Sequence, residues 1–415
     1  MSIVELRNEG ASAEGLPTFE SEAREVLARF RKALSDLIAA LPGGVRRAVD
    51  LQRALGVDAK TSWRLFKIAS ASDPLGIGSH VPGRQSMQRV RAGATRRQVP
   101  GPLVHAVEYA FDDFEALVKR YAGDRTTFDS MVSMFGQDDS NQLDLTHRRA
   151  AFRANSHIWG VQSRVQLITH IFRRSTDDPD RFDALAMQGS YGLTRLRRDA
   201  AWTIAEVSAR HDEGSWATSE PRPLESDSDD PTGFLAEFSS PSPQLRVTTR
   251  AAGFSSVELG GDLVGIPSSS TYLFAHVMRR VAPWYHTKDD SYVRSRATVR
   301  TPTECLHYDL LIDEETFGRV DPETFLMSDL ARDQSVTNPR QAKSHQLPVC
   351  EVAARLGIGT SVLHTPELPR YTEMIEKALA RLGWSEGRFQ VFRLRMEYPV
   401  LPSSHIVEFP LPTSG

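Results

Sequence analysis

Asp50-Leu51-Gln52-Arg53-Ala54-Leu55-Gly56-Val57-Asp58-Ala59-Lys60-Thr61-Ser62-Trp63-Arg64-Leu65-Phe66-Lys67 reads as two short helices joined by a tight turn. Leu51 and Leu55 give the first helix an apolar face, Gly56 suits the left-handed position at its end, and Val57 plugs the corner. Asp58 can cap the second helix, because its carboxylate can accept the free N–H groups of the first turn. In that helix Ser62, Leu65, Phe66 and Ala69 recur at i, i+3, i+4 and i+7 and form a stripe to be buried. The opposite stripe, at the same spacing, is Lys60, Trp63, Arg64 and Lys67. A helix apolar on one side and cationic on the other is what a phosphate-lined major groove requires.

Residues 48–69 resemble the helix-turn-helix of bacterial DNA-binding regulators. Gln52 stands where those proteins usually carry a small Ala, and Ser62 where they carry Val or Ile. The resemblance implies a DNA interface on Lys60, Thr61, Arg64 and Lys67, with Thr61 and Arg64 best placed to meet base edges. The alternative is an ordinary corner between two helices whose basic face is merely solvated.

Charge is distributed unevenly around this segment. The chain carries -3 overall, yet residues 1–100 carry +6 and residues 41–100 alone carry +8. A local basic field of this kind is the footprint of a polyanionic partner. Arg84, Arg89, Arg91, Arg96 and Arg97 follow within a stretch punctuated by Pro74, Gly76, Gly78, Pro82, Gly83, Gly93 and Pro100. That punctuation predicts a basic loop or wing over 71–101, with the arginines on phosphates. Only 7 of the 50 basic residues are Lys, so Arg is the default cation throughout and the cluster is less unusual than it looks.

At 415 residues the chain exceeds what one hydrophobic core organises. The pattern predicts helices over 21–41, 102–121, 127–135 and 145–153, then strands over 165–172, 184–191 and 202–207. Residues 210–243 are acidic and rich in Ser and Pro, a composition that cannot offset its ordering entropy by burial, and read as a linker or loop. Strands follow at 245–249, 255–259, 271–278, 296–300 and 305–312, then a helix over 371–382 and strands at 389–398 and 405–409. The expected fold class is α+β: a helical N-terminal region (1–140), a mixed α/β segment (141–209), the acidic linker, and a β-rich α+β domain (244–415).

Signals for chemistry are sparse. Cys305, His307 and Asp309 share one face of an alternating strand, but residues two apart on a strand are about 6–7 Å apart, long for a nucleophile–base hydrogen bond. The same residues suit the wet side of a half-covered sheet. His157, His170, His276 and His286 lack metal-site spacing, and no phosphate-binding or nucleophile-elbow motif is present, so neither a metal nor a cofactor is expected. A second helix-turn-helix look-alike, residues 351–363, is cut short by Pro366 and reads as a helix ended by Gly. Two cysteines are too few for a disulfide framework, and no apolar run is long enough to span a membrane.

The function these features predict is that of a cytoplasmic DNA-binding regulator, with the β-rich remainder serving effector binding or homo-oligomerisation. One alternative is an assembly protein whose basic region meets an acidic protein surface. Another is an enzyme housed in 156–415.

Overall fold

The computed structural model describes residues 18–45, 47–71, 73–133, 140–208, 221–225, 232–241, 245–250, 254–288, 291–330, 338–348, 351–384 and 387–413. The fold is α+β, with helices concentrated in the N-terminal part and sheets in the rest. Two compact units, Met1–Asp144 and Leu145–Gly415, make up the chain.

The first unit is helical. Helix α1 (Phe19–Ala39) starts two residues before the expected position 21 because Thr18 caps it, its hydroxyl accepting the Ser21 N–H at 3.3 Å. Helix α2 (Ala48–Leu55) ends at Gly56, whose φ of 69° is the left-handed conformation its sequence position called for. Helix α3 (Ala59–Ser70) is capped by Asp58, which accepts the Thr61 N–H at 2.8 Å. Helices α4 (Arg84–Arg96), α5 (Gly101–Tyr121) and α6 (Arg125–Ser133) complete the unit. Phe30 and Leu34 of α1, Leu51 and Leu55 of α2, Leu65 and Ile68 of α3, and Phe111 and Phe114 of α5 share one buried core. Each such side chain contributes about 1.5–3 kcal/mol by leaving water.

The expected basic loop over 71–101 is not a loop. Residues 75–80 form a short 3-10 turn and 84–96 the whole of α4. Gly93, read as a breaker, is instead a contact residue, and Met87, Val90 and Ala94 supply a buried helical stripe that the Pro and Gly residues upstream obscure.

Helix α7 (Ser140–Trp159) leads into the second unit. Its strands are β1 (Val161–Arg174), β2 (Arg181–Arg195), β3 (Thr203–Ser208), β4 (Arg222–Pro223), β5 (Leu245–Arg250), β6 (Phe254–Leu259), β7 (Ser270–Pro283), β8 (Tyr292–Val299) and β9 (Thr303–Asp313). After the one-turn helix α8 (Glu314–Phe317) come β10 (Glu323–Ser328), β11 (Gln346–Leu347), β12 (Ala354–Ile358), helix α9 (Tyr371–Arg381), β13 (Phe389–Glu397) and β14 (Ser403–Pro410). A seven-stranded sheet runs β12-β13-β9-β1-β2-β7-β4, a four-stranded sheet β11-β10-β14-β8, and a three-stranded sheet β3-β6-β5. The central pair, β1 and β9, is parallel; the other pairings of the large sheet are antiparallel. Strands from 161–195 and from 270–397 thus share one sheet, so the expected 141–209 segment and 244–415 domain form a single body.

Both faces of the large sheet are covered. Leu167, Ile171, Leu311 and Val391 meet Tyr371, Met374, Ile375 and Leu379 of α9. On the other face Ile168, Phe172, Leu306, Tyr308 and Leu310 meet Val293, Ala297, Val407 and Phe409 of the four-stranded sheet. Strand β9 is therefore buried at every position but Glu304, as a strand covered on both faces must be. This corrects the wet-face reading of Cys305, His307 and Asp309: α9 and its flanks cover that face. The helix expected in residues 351–363 is also not formed; only 360–363 make a single 3-10 turn. Gly357 and Gly359, at φ 148° and 82°, do not fit helical backbone, and 354–358 pair as an edge strand with β13. Within the acidic stretch, Leu224 and Leu235 are buried against the sheet, their N–H groups donating to Ala275 and Leu273 carbonyls, so these parts are not linker. The Ser226–Asp230 run lies outside the described residues.

Candidate nucleic-acid interface

Helix α3 owes its orientation to its own sequence. Leu65 and Ile68 are fully buried, and Ser62, though polar, is also buried because its hydroxyl donates to the Ala59 carbonyl at 3.0 Å. A Ser can thus stand where Val or Ile is usual, at no cost in unsatisfied hydrogen bonds. With that stripe inward, Lys60, Trp63 and Lys67 are exposed and Arg64 is half-buried. The three cations make no ion pair among the described residues, and α3 contains no Asp or Glu. Trp63 is 46% exposed, with the Lys67 ammonium 5.7 Å from its ring centre and His80 edge-on at 5.4 Å. Trp63 belongs to the same sequence stripe as the lysines but was not singled out as a binding residue. Its periodicity was legible; its exposure was not, since a Trp at helical spacing is more often core.

The remaining candidates divide differently. Thr61 is only 5% exposed: its hydroxyl donates to Asp58 Oδ2 at 2.8 Å and lies 3.4 Å from Ser86 Oγ of α4. It closes the cap and cannot meet a base edge, which corrects its assignment. Those bonds, the Thr61 N–H foremost, hold the Asp58 carboxyl below its ordinary pKa. Arg84 pairs with Asp112 at 3.1 Å and with Glu115, and Arg91 pairs with Glu108 at 2.8 Å. Arg96 donates to the Leu55 carbonyl at 3.2 Å, and Arg97 to those of Ala54 at 2.9 Å and Arg53 at 3.3 Å. These two guanidinium groups satisfy the last carbonyls of α2, where cations also complement the helix dipole. Arg89 is exposed and 3.9 Å from Asp58, a distance at which an exposed pair contributes little. Of the nine expected site residues, Lys60, Arg64, Lys67 and Arg89 remain available to a phosphate.

A second concentration of polar groups lies in the other unit. Asp309 is fully buried and accepts from Arg393 Nε and Nη2, both at 2.8 Å, and from the Tyr371 hydroxyl at 2.9 Å. His307 Nε2 stands 3.4 Å from Asp309 Oδ2, so two residues of one strand do reach each other through the long imidazole. Burial raises the Asp309 pKa, but the bonds from Arg393 and His307 outweigh it and hold the carboxyl below its ordinary value. Burial, and then the Asp309 charge, push Tyr371 well up. Cys305, by contrast, is pushed up to about 12 by burial and stays a thiol near neutrality, which is not the state of an activated nucleophile. The two-pronged ion pair joins β9 to β13 within the sheet, and the Tyr371 hydroxyl ties α9 to it.

Among the described residues no group of three or more His, Cys, Asp or Glu could hold a metal ion, and no helix is long and apolar enough to cross a membrane. Comparison of the chain with protein-family models, with curated proteins and with solved structures gives no match.

Proposed function

We propose that this protein binds DNA through the exposed face of α3 and acts as a cytoplasmic regulator, its second unit serving as an effector-binding or oligomerisation module. The observation that carries the reading is the stripe Lys60-Trp63-Arg64-Lys67: three cations with no carboxylate partner among the described residues, around a half-exposed indole. The assignment of the second unit rests on analogy with two-part regulators. Lys60, Lys67 and Arg89 contact phosphates, and Arg64 reads a base edge.

Three phosphate contacts give a slope of log affinity against log salt of about -2.7, or roughly a 40-fold loss between 50 and 200 mM salt. Fluorescence anisotropy with a labelled mixed-sequence duplex measures it. Binding that is absent, or indifferent to salt, overturns the proposal.

A further inference from the structure

Helices α4 and α5 do not close against each other along their whole length. Between them, with Leu37 of α1 beneath, lies a half-open groove of about 350 Å³. Its floor is apolar: Val90, Val104, Val107 and Phe111 are all buried. Its rim carries Gln88, His105 and Tyr109, all exposed and without hydrogen-bond partners among the described residues. Tyr109 is 73% exposed, a large aromatic surface left in water beside an apolar floor.

The groove is held open by fixed struts. Arg84 reaches from α4 to Asp112 and Glu115 of α5, and Arg91 reaches across to Glu108. On its other edge α4 is anchored to α2, where Gly93 meets the Leu55 carbonyl and Arg96 and Arg97 bind the helix end. A helix fastened on both sides cannot slide to fill the gap, so the site is preformed.

We propose that this groove binds a small uncharged molecule with a flat apolar body and one hydrogen-bonding group. The groove's volume falls within the roughly 300–1,000 Å³ of small-molecule sites. Both arginines in the wall already face carboxylates, so the wall offers no unpaired guanidinium to an anion. A flat ring lies on the Val and Phe floor under Tyr109, and Gln88 or His105 takes its polar group. The inference concerns α4 and α5 and stands whether or not α3 binds DNA.

The test uses the full chain without nucleic acid and N-phenyl-1-naphthylamine as probe: uncharged, aromatic, with one N–H. Fluorescence titration should show saturable one-to-one binding. Gln88→Trp, at an exposed rim position, should fill the groove and weaken the probe at least tenfold, and Tyr109→Ala should weaken it at least threefold, with melting unchanged. Absence of saturable binding, or equal affinity in both variants, overturns the proposal. If Gln88→Trp melts early, Tyr109→Ala decides alone.

Discussion

A Cβ placed on Gly93 would lie 2.1 Å from the carbonyl oxygen of Leu55. Helix α4 thus crosses the end of α2 at backbone contact, closer than any residue but Gly allows, and Arg96 and Arg97 bind the carbonyls exposed there. Gly93→Ala must push the helices apart, at about 1–3 kcal/mol for an overpacked contact. Thermal melting of the first unit should fall by several degrees, and an unchanged melting curve would show that the crossing is looser than described.

Arginines that look alike in the sequence should separate experimentally. Arg97→Ala removes the partner of the Ala54 and Arg53 carbonyls and should cost about 1 kcal/mol of stability, without altering the salt dependence of DNA binding. Lys67→Ala should do the reverse, leaving melting intact and reducing the salt slope by about 1. The paired measurement distinguishes a structural cation from a phosphate contact. A slope that falls for Arg97 and not for Lys67 would move the interface from α3 to α4.

Adjacent residues of α3 make the sharpest comparison. Arg64→Ala should change stability by less than about 0.5 kcal/mol and relax base preference by roughly 1–3 kcal/mol at one position. Leu65, fully buried, should cost about 2–5 kcal/mol as Ala, with binding lost only as the fold is lost. Should Arg64→Ala melt early and bind normally, α3 does not present this face to DNA.

The two helices around Gly56 were legible because their signals are local: an apolar period, a left-handed glycine, an aspartate cap. Most strands of the second unit were legible for the same reason, though not β4, β10, β11 or β12; β9 is the clearest, its Leu306, Tyr308, Leu310 and Ile312 sharing one face as their alternation implies. What the sequence could not show was what lies opposite. The other face of β9 is buried only because α9, some sixty residues later, lies over it and sends Tyr371 to Asp309. Likewise Gly93 reads as a helix breaker until α2 is placed against it. Arg84, Arg91, Arg96 and Arg97 form a basic cluster in sequence, yet their partners on α5 and α2 use the charge internally. Thr61 was misread because an N-terminal helical position can face either solvent or a neighbouring helix, and the neighbour, α4, was taken for a loop.

The Asp309 cluster should behave as a buried ion pair. Asp309→Ala leaves the Arg393 guanidinium without its partner and should destabilise the second unit by about 3–5 kcal/mol. Tyr371→Phe deletes one hydroxyl shared between Thr169 at 2.8 Å and Asp309 at 2.9 Å, and should cost only about 1–2 kcal/mol. Urea unfolding of the two variants tests the ranking. Equal midpoints would mean that the carboxylate is not the anchor.

Acid should loosen the second unit from about pH 6.5 downward through His405. This side chain is fully buried on β14, neither ring nitrogen has a hydrogen-bond partner among the described residues, and burial, with a smaller contribution from Arg148, pushes its pKa down to about 4. An unfolded histidine titrates near 6.5, so the unfolded chain binds the extra proton first as pH falls. The stabilisation is therefore whole above about pH 6.5 and is lost between there and pH 4, by about 3 kcal/mol. Asp309, whose pKa is lowered, begins to lose its contribution only as pH falls through the ordinary carboxylate range, at the acid end of the histidine window. His405→Leu removes the titrating group at similar volume and should flatten the fall in urea midpoint from pH 7 to pH 4.5. His170, also pushed down to about 4 by burial, retains the rest of the slope. A variant whose stability declines with acid as steeply as the parent would show that His405 is not among the groups that sense it.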